Sequence, residues 1–265
     1  MIFKRLAILC SILFATLSTG AQQSLTAATK DPQAISILTQ SLNAAGGMSA
    51  ISAIQDFAET GTISHSWAGK SIQGSVVIYG KGQNQFRIDS KTPDGLLTYA
   101  VNGLLGQSIL PNGHKQNLRF FNPGSDGNQS FPAARIATVL SDPATSLTYD
   151  GLVSMSGVQM EKIHVTPPTT TSITTTNGSL SSLGAFDLYL DPATNQAVML
   201  RDTFYPNGNI FRGHQREINF SNYAVVRGVS VPLSISESIE GQQTWSIQLE
   251  SATFNTGLST SLFLF

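Results

Sequence analysis

Residues 226–239, VRGVSVPLSISESI, place Val229, Val231, Leu233 and Ile235 in alternation with Ser230, Pro232, Ser234 and Ser236. A strand sends successive side chains to opposite faces, so this segment has one apolar face and one mostly hydroxyl face. The same period of two recurs from Asp56 onward. Ile63, His65 and Trp67 share a face, as do Ile72, Val76 and Ile78, interrupted by Gly74. Phe86 and Ile88 mark the next strand, after a turn in YGKGQNQ. Further strands are expected at 96–101, 104–110 and 115–120, with hairpin turns at Asn102-Gly103 and Asn112-Gly113. Others follow at 146–155 and 158–166, and then on either side of a turn at 191–195. NIFRGHQREINFSNY and QQTWSIQLESATF complete the set; in the latter, Trp245, Ile247 and Leu249 face one way.

Helical spacing is rarer. In 31–54, Asp31 caps, Pro32 sits at the first helical position, and Gly46-Gly47 stops the run. Ile35, Leu38 and Leu42 are predicted to share its apolar face, and a short second turn follows at 49–54. A helix at 133–142 ends at Asp142-Pro143 and carries the stripe Ile136, Val139 and Leu140. Such a stripe serves as core or as a lid. Residues 122–132 read as a loop, and the Ser/Thr-biased 167–184 as a loop or a polar hairpin extension. No repeat or linker divides the chain. The pattern predicts one domain of roughly ten antiparallel strands and two or three short helices.

Ten strands at about 4.8 Å spacing, each of about eight residues, give a sheet face of about 1,200 Å². Three short helices cover about 450 Å² of it. Monomers seldom leave contiguous apolar patches above a few hundred Å² in water. A strongly curved sheet or unclosed barrel, plugged or lidded by the helices around an apolar cavity, resolves the mismatch. A packed two-sheet sandwich resolves it equally well. In the first case the cavity is lined by Trp67, Ile78, Phe86, Ile136, Val139, Leu140, Val231, Leu233, Trp245, Ile247 and Leu249. For Trp67 and Trp245 plain core packing is the alternative.

The N-terminus sets the compartment. Lys4 and Arg5 precede the apolar LAILCSILFATL, and STGA offers small residues for cleavage after Ala21. Residues 1–21 read as a secretory signal peptide and 22–31 as a flexible leader, leaving 32–265 as the domain. Export across an inner membrane to the periplasm is the expected route. Cys10, the only cysteine, is followed by more apolar chain, so lipidation is not expected. Without it the mature chain has no thiol, disulfide or Cys-ligated metal. Removing Lys4 and Arg5 from 15 basic residues leaves 13 against 16 acidic ones. The charges are scattered, with no basic stripe for nucleic acid. Charged residues are only 12% of the chain, and Ser and Thr take the polar strand positions instead.

No catalytic motif stands out. His65, His114, His164 and His214 have no zinc-site spacing, and His214 and Glu217 lie on opposite strand faces. There is no Gly-x-Ser-x-Gly elbow or phosphate loop. The carboxylate pairs Asp187/Asp191 and Glu237/Glu240 fall at a strand end and a turn, where surface charge is expected. No catalytic residue, metal or cofactor is assigned. The terminal SLFLF resembles an outer-membrane barrel ending, but Ser259 and Ser261 break its alternation.

The segments AISILTQSLNAAGGMSAISAIQDFAETGTI, GSVVIYGKGQNQFRID, FDLYLDPATNQAVML, INFSNYAVVRGVSVPLSI and FNTGLSTSLF together span most of the mature chain. In order and character they resemble the LolA- and LolB-like periplasmic lipoprotein-carrier superfamily. That resemblance implies an unclosed antiparallel barrel, lidded by helices, that holds acyl chains. The expected function is a non-catalytic, monomeric carrier or sensor of a hydrophobic ligand, lipid or acylated protein. The alternatives are an envelope scaffold module with a packed barrel and a protein partner, or a small outer-membrane barrel.

Overall fold

The computed structural model describes residues 28–67, 69–103, 105–118, 129–155, 157–168, 174–175, 178–179, 184–206 and 212–265. The expected signal peptide, most of the leader and of the 122–132 loop, and most of the Ser/Thr tract lie outside them.

The chain opens with α1 (Pro32–Ala44). Asp31 Oδ1 accepts from Gln33 N at 2.7 Å, and Pro32 needs no hydrogen-bond partner at its position. Gly46, at φ 116°, turns the chain so that Gly47 N donates to Leu42 O at 2.7 Å. Ala34, Leu38, Ser41 and Leu42 form the buried face. Ile35 is 37% exposed, contrary to its predicted place there. It lies three residues before Leu38, but the stripe is centred on the 34–38–41–42 line. α2 (Met48–Ser52) follows.

Six strands then form a meander: β1 (Asp56–Trp67), β2 (Lys70–Lys81), β3 (Gln85–Thr92), β4 (Gly95–Asn102), β5 (Leu105–Ile109) and β6 (Lys115–Leu118). α3 (Pro132–Ser141) leads to β7 (Ser146–Met155) and β8 (Val158–Thr166). A two-residue hairpin, β9 (Thr174–Thr175) and β10 (Gly178–Ser179), stands apart. β11 (Phe186–Leu190), β12 (Ala197–Phe204), β13 (His214–Val226), β14 (Val229–Ile239) and β15 (Gln242–Phe254) complete the sheet. Its order is β6-β5-β4-β3-β2-β1-β15-β14-β13-β12-β11-β8-β7.

All thirteen strands pair antiparallel, where roughly ten were expected. The segments named from the alternation include all thirteen, β5, β6 and β11 among them; only the round total fell short of them. The sheet does not close: among the described residues β6 and β7 are its edges. Unpaired edges have no place in hydrocarbon, which weighs against the outer-membrane barrel. No described helix is long and apolar enough to cross a membrane.

Register shifts between Thr60 and Gly61, Tyr149 and Gly151, Tyr189 and Leu190, and Glu237 and Ser238 bend the sheet toward one concave face. Gly61 is required there, because a Cβ would come within 2.0 Å of Gln248 O. Gly80 leaves room for the Phe57 ring, which a Cβ would meet at 2.1 Å. The helices lie on the concave side, where α1 and α2 pack on α3 and α1 also reaches β7.

Both chain ends of the domain are fastened. Residues 28–31, expected to belong to the flexible leader, bridge to β7: Leu147 N donates to Thr29 O at 2.8 Å and Asp31 N to Leu147 O at 3.0 Å. Lys30 Nζ donates to Val139 O and Leu140 O at 2.9 and 2.8 Å, a cation on the last turn of α3. At the other end, Asp56 accepts from Thr256 N, Thr256 Oγ1, Gly257 N and Leu258 N at 2.7–3.1 Å. Burial opposes its charge, but these bonds outweigh it and hold the carboxyl below the ordinary value. The anchored tail ends in a 3-10 turn, Thr260–Phe263, whose Phe263 is fully buried.

Candidate functional site

The concave face is assembled from alternate residues of each strand. One row runs across the sheet as His65, Trp245, Glu237, Ile218, Leu200 and Leu188. A parallel row holds Ile63, Ile247, Ile235 and Phe220. A third carries Ala252, Glu59, Ile78 and Ile88. Above them, Phe131, just before α3, meets the ring of Phe57 edge-on at 5.7 Å and stacks on Phe254 at 5.9 Å.

Apart from Trp67, the expected lining residues lie on this face or its cover. Ile78, Phe86, Trp245 and Ile247 surround one hollow together with Ile88, Ile235, Gln129 and Ser130. Ile136 borders a second, between α1, α3 and β12–β14. Val139, Val231 and Leu249 are buried in the same core, and Leu140 and Leu233 are half-buried against it. Trp67 stands at the end of β1 opposite Lys70, and its side chain lies outside the described residues.

Neither hollow is the ligand-sized cavity that the area arithmetic predicts. The second holds about 10 Å³ and the first no room for a water. The arithmetic counted helices alone as cover. Phe57, Phe86, Phe131 and Phe254, all buried, fill the space between helices and sheet.

Three polar features interrupt the apolar face. Arg216 is buried and bonds Asp202 through both carboxylate oxygens, at 2.9 and 2.6 Å. Glu237 Oε2 lies 3.9 Å from Arg216 Nη1, and Glu237 Oε1 accepts from Thr244 Oγ1 at 2.6 Å. Glu237 was expected to be a surface charge near a turn. The strand continues past it to Ile239 and directs it inward instead. His65 is the second feature: its Nε2 is buried without a partner, and burial lowers its pKa.

Glu59 is the third and was not anticipated. It is 0% exposed, and both carboxylate oxygens lack hydrogen-bond partners. Burial pushes its carboxyl up to about 8. Ser130 is near enough to favour the charged form slightly but not in hydrogen-bonding geometry; its Oγ also has no partner. The available signal was phase: Glu59 alternates with Phe57, Gly61 and Ile63 on the apolar side of β1.

Another cluster of charges lies on the convex face. Lys162 Nζ bridges Asp150 and Asp187 at 2.9 and 3.2 Å, and His164 Nδ1 meets Asp187 at 2.7 Å. Asp191 closes its turn by accepting from Ala193 N at 2.8 Å. Among the described residues no group of three or more His, Cys, Asp or Glu side chains is placed to hold a metal.

The sequence matches no protein-family model and no curated protein. Solved structures do match. A domain from Vibrio parahaemolyticus assigned to outer membrane lipoprotein sorting aligns at TM-score 0.54 and 12% identity, over 88% of this chain and 96% of that one. A DUF1329 family protein from Desulfovibrio piger aligns at 0.53 and 15%, over 87% and 96%. A LolA superfamily protein from Nitrosomonas europaea aligns at 0.52 and 11%, over 88% and 97%. An unclosed antiparallel sheet with helices on its concave side, matched over nearly the whole length of these proteins, is a LolA-like fold.

Proposed function

We propose that this is an exported, non-enzymatic, monomeric carrier or sensor that binds a hydrophobic ligand, a lipid or the acyl chains of a lipoprotein, in the cell envelope. The observation that carries this reading is a broad apolar concave face covered by three short helices rather than by a second sheet. Fold alone does not fix function. The sorting role assigned to the Vibrio domain lends support from the same architecture. The ligand enters by displacing α3 and the adjoining 129–131 from the sheet, and the buried aliphatic surface then contacts a hydrocarbon chain. Burial at about 25 cal/mol per Å² makes such an exchange favourable for a long chain.

The filled hollows favour a second reading, an envelope scaffold module with a packed interior and a protein partner. A native mass spectrum of the protein purified without detergent separates the two. Added lipid mass supports the carrier; a ligand-free monomer that retains a protein partner in pull-downs supports the scaffold. For the carrier, Trp245→Lys weakens binding of an uncharged fluorescent lipid at least tenfold. Unchanged binding would remove β15 from the ligand face.

A further inference from the structure

We infer that Glu59 is the headgroup subsite of the concave face and that it selects an amphiphile with a primary ammonium head. The inference rests on the reading of that face as a hydrophobic-ligand site.

Buried polar atoms in native proteins are nearly always paired, and an unpaired one carries a desolvation cost. Here three polar atoms are unpartnered around one point: Glu59 Oε1, Glu59 Oε2 and the Ser130 hydroxyl, which can accept as well as donate. They come from the two sides of the closed interior, β1 of the sheet and the segment entering α3. Glu59 pairs across the sheet with Ile78, which walls the hollow shared with Phe86, Trp245 and Ile247. Ser130 walls the same hollow. A polar point therefore adjoins an apolar track, the layout an amphiphile requires.

The donor count selects the head. A primary ammonium has three N–H donors, one for each oxygen when Glu59 meets it as a carboxylate and Ser130 Oγ accepts. A hydroxyl has one donor and a quaternary ammonium has none. Phosphate and carboxylate heads bring acceptors and like charge to a site already short of donors. Among the described residues no cation contributes to the electrostatics at Glu59, where burial and Ser130 are the acting influences. An incoming ammonium thus meets no repulsion and makes a charge-assisted bond in a dry site.

The test is a titration of the full exported protein, below micelle concentrations, with four amphiphiles of one chain length: primary amine, trimethylammonium, alcohol and carboxylate. The primary amine binds at least tenfold more tightly than the other three. The trimethylammonium controls for general attraction to an acidic surface. Glu59→Gln and Glu59→Leu each abolish the amine preference while alcohol affinity stays within about threefold. An amine that binds no better than the alcohol, or a preference that survives both substitutions, overturns the headgroup assignment and leaves the carrier reading standing. If none of the four binds the unmodified protein, the carrier reading fails and this inference fails with it.

Discussion

Glu59 also makes a stability prediction. Its carboxyl has an ordinary value of 4.5 when free and is pushed up to about 8 in the fold. Between those values the folded chain keeps a proton that the unfolded chain has lost, so stability falls as pH rises from 4.5 to 8. At about 1.4 kcal/mol per pH unit the loss is on the order of 5 kcal/mol. Glu59→Leu removes the buried acid and with it this dependence. Urea unfolding at pH 5 and pH 8 checks this: the variant's advantage over the parent grows by several kcal/mol at the higher pH. An advantage equal at both would mean that Glu59 is not buried. At this scale the sequence was legible in phase but not in consequence. Glu59, Asp202, Arg216 and Glu237 all sit at apolar-phase positions; of these only Glu237 was singled out, as a surface charge. What alternation does not convey is whether a partner stands across the strand, as Asp202 does for Arg216 and nothing does for Glu59.

Among the elements, β12, β13 and β14 are locked by that ion cluster. Arg216 draws Asp202 and Glu237 together and lies over the Phe204 ring at 5.6 Å. Arg216→Met leaves two inward carboxylates without their guanidinium and costs about 3–5 kcal/mol in chemical denaturation. A cost below about 1 kcal/mol would show the cluster to be solvated. Element boundaries were largely readable because strand and helix periods differ and Gly, Asn and Pro punctuate them. The sequence-predicted strands 146–155 and 158–166 coincide with β7 and β8. Fine placement was less so. Ile35 satisfies helical spacing yet faces outward, because α1 turns its small residues, Ala34 and Ser41, toward α3 and the sheet. Close approach of two backbones selects small side chains, which a hydrophobicity count overlooks.

For the whole molecule, an excess of apolar strand surface over helix left a curved, unclosed sheet and a two-sheet sandwich equally open; the resemblance favoured the former, and the thirteen-stranded sheet with two free edges agrees. The interior volume did not follow from area. Buried phenylalanines occupy space that the two-dimensional estimate left empty. On the carrier reading proposed above, the cover must move to admit a ligand. The most direct measurement is photoaffinity labelling with a long-chain amine carrying a diazirine in its tail, followed by peptide mapping. The account predicts adducts on the inward residues Ile78, Ile88, Trp245 and Ile247, lost when unlabelled amine competes. Adducts confined to outward positions such as Thr62, Gln248 or Glu250, or none that competitor removes, would contradict it.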